Sequence, residues 1–491
     1  MTVARRSRLV VAATALALLL AGCQGQAAQR GGGGKHMASG TSSSTTTPGS
    51  TSTGQPEQGT TPLGAKWDWG RYDEFQPYLT SLKGGYTYYE VVWCQVEPTQ
   101  GHPDWSGLDR IATRSRDLGI HLLLKLRVGR CWATGGEAQH ARGSKNKTES
   151  AMPRDLATYS AWVKSAVTRY SALGVHKYAV ENEINSEGFW AGTPGQFEQL
   201  VTTAAKAIRG ADPQAKVVDA GLSSTTYGYG IADDLLRKGR DADAVAAYNT
   251  YYRERIGTRG DKIPSVTDRA GLEAVLRSAQ GQRNLAYLSL MTKLAEEKVT
   301  DVRQIHFYEA SDAVPLLFTY LRAHTPTWTP VEAWEVGSFD RSTTDDKART
   351  AEMLRTVSLV LAGGARLAIW LPLAFDPAGR NPDEPRFGLL DPDGTVRDAG
   401  RAFQSLVTAS HEATVTPVTG HGLSGVGFQR GATTTAFVWA QHPTTVRLAS
   451  GEKASAPDGS GAKSTSSVAV GPEPVRLVLN RTTQVFLGGQ S

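Results

Sequence analysis

Cysteine is scarce in this chain, with three among 491 residues, at positions 23, 94 and 131. There is no HExxH motif and no group of His and Cys at ligand spacing, so metal catalysis finds no support and no metal is expected. No pattern calls for a cofactor either, and no obligate protein partner is evident. Charge of one sign is also missing. The formal net charge is +6, basic and acidic residues are interspersed, and no Lys/Arg block occurs outside the first residues. A nucleic-acid partner is therefore not expected. The apolar run at 9–20 is too short to span a bilayer comfortably. Hydrophobic residues make up 40% of the chain and charged residues 20%, the balance of a globular protein. The length suits a large barrel plus something smaller better than one ordinary core.

The first 23 residues have the layout of a targeting segment. Arg5, Arg6 and Arg8 precede the apolar run, which ends in Leu20-Ala21-Gly22-Cys23. That tetrapeptide resembles a bacterial lipobox, which implies lipidation of Cys23 and anchoring at the outer face of the cell membrane. The other reading is an ordinary secretory signal with an incidental Cys23. Residues 24–62 are mostly Gly, Ser, Thr, Gln and Pro. Such a segment cannot bury enough apolar surface to offset its ordering entropy, so it reads as a flexible tether. The remaining cysteines, Cys94 and Cys131, pair naturally as a disulfide in an exported chain.

From 63 to 409, short apolar runs alternate with amphipathic stretches. Strands are expected at 64–67, 87–92, 121–125, 177–180, 216–220, 303–307, 331–334 and 367–370. Helical patterns lie at 157–173, 196–209, 347–362 and 397–409. Eight strands alternating with helices imply a parallel sheet, and this length fits an α/β fold closed into a (β/α)8 barrel. The largest insertion, 223–300, carries helical stretches at 272–278 and 285–297 and is placed to wall a cleft. Neighbouring strands put Cys94, near the end of the second, beside Cys131, in the loop after the third. Residues 410–491 change texture, with short β-branched runs at 434–439, 445–448, 475–479 and 483–487 separated by Gly, Pro and Ser. They read as a small β-sandwich, structural in role or carbohydrate-binding, with Trp439 its only tryptophan.

Active sites of such barrels lie at the C-terminal ends of the strands. The fourth strand ends in Glu181-Asn182-Glu183-Ile184-Asn185 and the seventh in Glu332-Ala333-Trp334-Glu335-Val336-Gly337. Glycosidic bond hydrolysis needs two carboxyl groups flanking the anomeric carbon, and these two strands face each other across a barrel mouth. Asn182-Glu183 after a fourth strand, with Trp334-Glu335-Val336-Gly337 on a seventh, resembles the clan A retaining glycoside hydrolases, nearest to family 39-like and family 5-like members. Three further stretches agree: Trp93-Cys94-Gln95-Val96-Glu97-Pro98 with Asp104-Trp105, His306-Phe307-Tyr308, and Phe387-Gly388-Leu389-Leu390-Asp391.

The resemblance implies Glu183 as acid/base and Glu335 as nucleophile, with the carboxyl groups about 5–5.5 Å apart. It implies that Tyr308 hydrogen-bonds Glu335, that Asn182 binds the hydroxyl beside the anomeric carbon, and that Trp370 stacks on a sugar ring. His306, Trp93 and Trp132 join the expected substrate-binding set. Glu97 is expected to order its loop. Strand alternation keeps Glu181 open as a rival to Glu183, because Asn182 and Glu183 both reach the site only if the strand bulges or ends there, and Glu332 is the alternative to Glu335, though at the start of its strand and away from the mouth. Two departures stand out. The second strand reads Tyr88-Tyr89-Glu90-Val91-Val92 without the clan's Arg, leaving Glu90, Lys125 or Arg127 to take its place, and Ile184 replaces the Pro that often follows the acid/base. The expected activity is retaining hydrolysis of a poly- or oligosaccharide at the cell surface. The alternatives are an inactive glycan-binding barrel and a two-lobed solute-binding lipoprotein.

Overall fold

The computed structural model describes residues 58–142, 147–257, 263–338, 345–374 and 387–490. Cys23, the targeting segment and nearly all of the expected tether lie outside these residues. No helix among the described residues is long and apolar enough to cross a membrane. The described residues belong to one compact unit.

Its centre is a ring of eight parallel strands: β1 Leu63–Ala65, β2 Tyr86–Val92, β3 His121–Arg127, β4 Lys177–Val180, β5 Lys216–Val218, β6 Arg303–Phe307, β7 Val331–Val336 and β8 Ala368–Trp370. They are ordered β5-β4-β3-β2-β1-β8-β7-β6. The ring closes where Val218 bridges Val302 in parallel, with the Asp219 N–H donating to Val302 O at 3.1 Å and the Asp301 N–H to Val217 O at 2.7 Å. The (β/α)8 barrel read from the sequence is the fold observed.

Alternation along each strand sorts side chains between two cores. On β3, Leu122, Leu124 and Leu126 face the outer helices, while Leu123 joins the barrel interior with Tyr88, Ala179, Val218, Val302, Trp334 and Ile369. The same alternation turns Lys125 and Arg127 inward as β3 approaches the mouth. Some helices start where a side chain caps their free N–H groups. Asp155 accepts from Ala157 and Thr158 ahead of α3, the helix Leu156–Ser171; Thr193 and Gln196 form a capping box opening α4, Pro194–Ala211. The first two outer helices are α1, Tyr72–Leu79, and α2, Ser106–Leu118.

Between β5 and β6 stand four helices, α5 Thr225–Arg237, α6 Asp241–Tyr251, α7 Arg269–Arg277 and α8 Ala279–Glu296. The sequence pattern had indicated only the last two. The ring is completed by α9 Val314–His324, α10 Asp346–Ala362 and α11 Asp398–Ser410.

A six-stranded antiparallel sheet follows, formed by β9 Thr414–Gly420, β10 Leu423–Arg430, β11 Thr433–Ala440, β13 Lys453–Ser455, β14 Lys463–Ser464 and β16 Val475–Leu479, with β12 Thr444–Arg447 and β15 Ser467–Val470 as a separate pair. Val415, Val426, Phe428 and Phe437 pack into the barrel's outer core. Val418, Val438, Val446, Val470 and Leu477 form a second core on the other face. The run 483–487, expected as a strand, is instead a helix, α12 Thr483–Gly488. Thr482 caps it by accepting from the Val485 N–H, and Phe486 is buried. Its β-branched residues mimic a strand, but the Thr cap and the single apolar anchor suit one helical turn. Trp439 is also buried, so it offers no exposed platform for sugars.

Cys94 and Cys131 form a disulfide across the rim, with Cα atoms 5.4 Å apart and the two residues 37 positions apart in sequence. Closing a loop of that length contributes about 2–4 kcal/mol. Cys94→Ser or Cys131→Ser should lower Tm in thermal unfolding, and reductant should lower the parent's Tm to the same value. An unchanged Tm in both would show that the bridge adds nothing to stability.

Candidate active site

Two backbone irregularities build the site. The first is the end of β4. Glu181 and Glu183 both adopt left-handed backbone conformations, with φ of 68° and 43°. Such conformations are costly for non-glycine residues and cluster at functional sites. They end the strand's alternation at Val180, and this lets consecutive residues turn to different partners. Glu181 is fully buried away from the mouth. It accepts the Val128 N–H at 2.7 Å and lies 3.6 Å from the Arg127 guanidinium. Burial pushes its carboxyl up in spite of that guanidinium. Asn182 faces the barrel axis and Glu183 the mouth.

The second irregularity is a bulge in β7. Ala333 pairs with Ile305 and Ala368, but Glu335 pairs with His306, and Val336 with Phe307 and Trp370. One extra residue is thus inserted against both neighbours. Trp334 belongs to the interior core, so strict alternation would turn Glu335 outward. The bulge brings it in as well. Glu332 stays at the other end of the strand, held by Lys177 Nζ at 2.5 Å and the Trp334 indole N–H at 2.8 Å. The structure therefore separates Glu181 and Glu332 from the mouth and brings Glu183 and Glu335 together there.

Glu335 is the most heavily bonded group of the site. Its Oε1 accepts from Tyr88 Oη and Lys125 Nζ, both at 2.8 Å, and its Oε2 from Tyr308 Oη at 2.7 Å. Its side chain is 8% exposed and that of Lys125 is fully buried. Burial alone would raise the Glu335 carboxyl. The charge of His306 when its ring is protonated, the charge of Lys125 and the hydrogen bonds from Lys125 and Tyr308 outweigh it, holding the group well below the usual carboxylate range. Burial, then the neighbouring Glu335 charge, pushes the Tyr88 phenol well above its ordinary value. Lys125 also donates to Asn182 Oδ1 at 2.6 Å. Of the groups left open to replace the absent Arg, Lys125 is the one that reaches Glu335. Arg127 instead binds Glu90 at 3.2 Å and backbone carbonyls at the rim.

Glu183, 14% exposed, has Oε1 2.9 Å from His306 Nδ1. His306 Nε2 lies 3.2 Å from both Lys125 Nζ and Gln304 Oε1. Donor atoms of Glu183, His306 and Glu335, all three expected at the site from the sequence, fall within 4.8 Å of one another. Such a trio could ligate a metal. Here both oxygens of Glu335 already accept hydrogen bonds, one from an ammonium, so the set suits proton chemistry better than a cation.

The insertion braces this arrangement. From α8, Arg283 donates to Asn185 O at 2.7 Å, and Asn284 Oδ1 accepts from the Asn185 amide at 2.9 Å. Tyr251 of α6 donates to Ser224 O, and Ser224 Oγ accepts the Tyr308 N–H.

The expected tryptophans fare differently. Trp370 is 2% exposed. It follows Ala368 on the outward face of β8, with its indole N–H on Phe387 O. This corrects the expectation of a sugar platform there, since no face of the ring is free. Trp93 is also buried, donating to Glu97 Oε2 at 2.7 Å and stacking on Trp162, so it is core rather than a sugar contact. Glu97 orders its loop by accepting also from the Gly101 N–H. Trp132 alone of the three stays half-exposed, its N–H on Glu97 O. Sequence reasoning missed Tyr88 as a site residue. Its place on the inward face of β2, two residues after Tyr86, was the available signal.

No protein-family model and no curated protein matches this sequence. Solved structures do. A family 39 glycoside hydrolase from the gut symbiont Bacteroides cellulosilyticus WH2 is similar with a TM-score of 0.58 and 13% identity, covering 87% of this chain and 83% of that one. A GH39 β-xylosidase from Caulobacter crescentus gives 0.55 and 14%, over 87% and 98% of the chains. A GH39 enzyme from Xanthomonas axonopodis pv. citri gives 0.55 and 13%, over 88% and 96%. The shared feature at these identities is the fold: a parallel eight-stranded barrel followed by antiparallel sheets.

A carboxyl more acidic in the folded than the unfolded chain contributes stability above its unfolded value, near pH 4.3, and this is lost as pH falls through the folded value. Lys125→Met removes the main hydrogen-bonding cation. Titration of Glu335 by carboxyl NMR should then move upward, and Tm should drop at neutral pH but less at acid pH. An unmoved Glu335 titration would show that Lys125 does not hold it ionised.

Proposed function

We propose that this chain is a retaining glycoside hydrolase, exported and anchored through lipidated Cys23, that cleaves a poly- or oligosaccharide at the bacterial cell surface. The observation that carries this reading is the pair of unlike carboxyl groups across the mouth. Glu335 is held ionised by Lys125, Tyr88 and Tyr308, while Glu183 is bound only to His306. Their nearest oxygens, within 4.8 Å, suit double displacement rather than inversion, which leaves room for a water between carboxyls about 6.5–9.5 Å apart.

In the first step Glu335 attacks the anomeric carbon while Glu183 gives its proton to the leaving oxygen. In the second, Glu183 takes a proton from water as that water displaces Glu335. His306 can serve both states of Glu183. With Nε2–H donated to Gln304, Nδ1 accepts from the protonated acid. With Nε2 accepting from Lys125, Nδ1–H donates to the carboxylate. The Asn182 amide nitrogen makes no hydrogen bond among the described residues and is free to donate to the neighbouring sugar hydroxyl. Trp132 supplies the remaining aromatic face. The β-xylosidase among the similar structures makes xylosides the first substrates to try. The closed barrel has no hinge between lobes, which removes the solute-binding reading.

The test is sugar release from a panel of cell-surface and plant polysaccharides and aryl glycosides. Glu335→Gln should abolish release. Glu183→Gln should reduce it by about 10²–10⁴-fold on substrates with poor leaving groups and much less on activated aryl glycosides, which need no proton. Activity surviving both changes would overturn the assignment, and glycan binding without cleavage would favour the inactive barrel. Tyr88→Phe and Tyr308→Phe should each lower kcat/KM by about 10–100-fold, the equivalent of one hydrogen bond to a charged group. Parent-like kinetics would remove them from the machinery.

A further inference from the structure

A cavity of about 560 Å³ opens at the opposite end of the barrel, around the starts of the strands, where the β-sandwich's first strand also borders it. That volume is in the range of small-molecule sites. Its two carboxylates are already neutralised. Glu332 is paired with Lys177 at 2.5 Å, and Asp301 with Arg209 at 3.1 Å and the Val217 N–H at 2.8 Å. Its other cations are not. Lys216, Lys298 and Arg366 make no ion pair among the described residues. Lys298 holds a left-handed backbone, φ 56°. Its ammonium stands 5.7 Å from the ring centre of Trp328. That indole is 61% exposed, a large apolar group in water beside a cavity.

We propose that this end of the barrel binds an acidic saccharide chain, separately from the catalytic mouth. An exposed indole takes the apolar face of a pyranose ring, and cations beside it take carboxylates. The spacing favours a chain over a single phosphate. Lys216 starts β5, Lys298 precedes β6 and Arg366 precedes β8, so the free charges are spread along an arc of the rim from β5 to β8, about 14 Å at the usual interstrand distance. One phosphate would need donors converging on a point. A chain carrying a carboxylate on successive residues meets separated charges.

The site does not depend on the proposed hydrolysis, and its test keeps the two apart. Affinity electrophoresis of the full chain carrying Glu335→Gln, which prevents turnover, would use gels containing polygalacturonate, alginate or hyaluronan, with neutral xylan for comparison. Retardation by at least one acidic polymer, weakened by salt and with Kd raised at least about tenfold by Trp328→Ala and by Lys216→Ala/Arg366→Ala, is the expected result. In the Glu335 background the same changes should leave hydrolysis of small aryl glycosides unaltered, and circular dichroism should show them folded. Equal retardation of parent and folded variants would overturn the proposal, as would retardation by none of the acidic polymers. Complete displacement by millimolar inorganic phosphate would also overturn it, by marking a phosphate site.

Discussion

An ionised carboxylate held out of water is the constraint around which this site is arranged. Glu335 is almost inaccessible, and leaving it charged without partners would cost several kcal/mol. Lys125 and the phenols of Tyr88 and Tyr308 offset that cost and fix the carboxylate's direction. The same ammonium reaches Asn182 and His306, and His306 reaches Glu183. One buried cation on β3 thus ties together the carboxylates of β4 and β7. Removing it would leave a buried charge unmatched.

The barrel supplies position, and local departures from regular geometry supply aim. Eight parallel strands point their C-terminal ends at one mouth, but alternation sends only every second side chain inward. The bulge in β7 adds a residue so that Trp334 can fill the interior and Glu335 can still face the mouth. The left-handed turns at Glu181 and Glu183 let neighbouring residues take different tasks, one securing the Val128 loop and the next two serving the site. Arg283 and Asn284 of the insertion hold the segment after Glu183, so the strained backbone rests on a rigid helix.

Much of this was legible in the sequence. The eight strands read as short apolar runs because β-strands in a closed barrel are buried on both sides, and the pair Glu183 and Glu335 followed from strand ends with the family resemblance. What stayed hidden has physical causes. The β7 bulge leaves no mark in residue type, so alternation alone gave no reason to turn both Trp334 and Glu335 inward. Helices α5 and α6 were hard to read because α5 is buried along the whole run 226–232, and α6 carries Ala242 and Ala246 on its exposed side, which blurs the contrast with its buried stripe of Ala244, Ala247, Tyr248 and Tyr251. Trp370 and Trp93 were misjudged because an aromatic near a strand end can face either the mouth or the helices, and here both are buried in the outer core on the helix side. The run at 483–487 had strand-like residues but a helix cap.

The measurement that bears most directly on the central claim is proton NMR of the anomer first released during hydrolysis, recorded before mutarotation. With the two carboxyl groups this close and Glu335 held ionised, the double displacement proposed above should release sugar with the configuration of the substrate. Release of the opposite anomer would mean that water, and not Glu335, attacks, and would contradict the assignment of Glu335 as nucleophile.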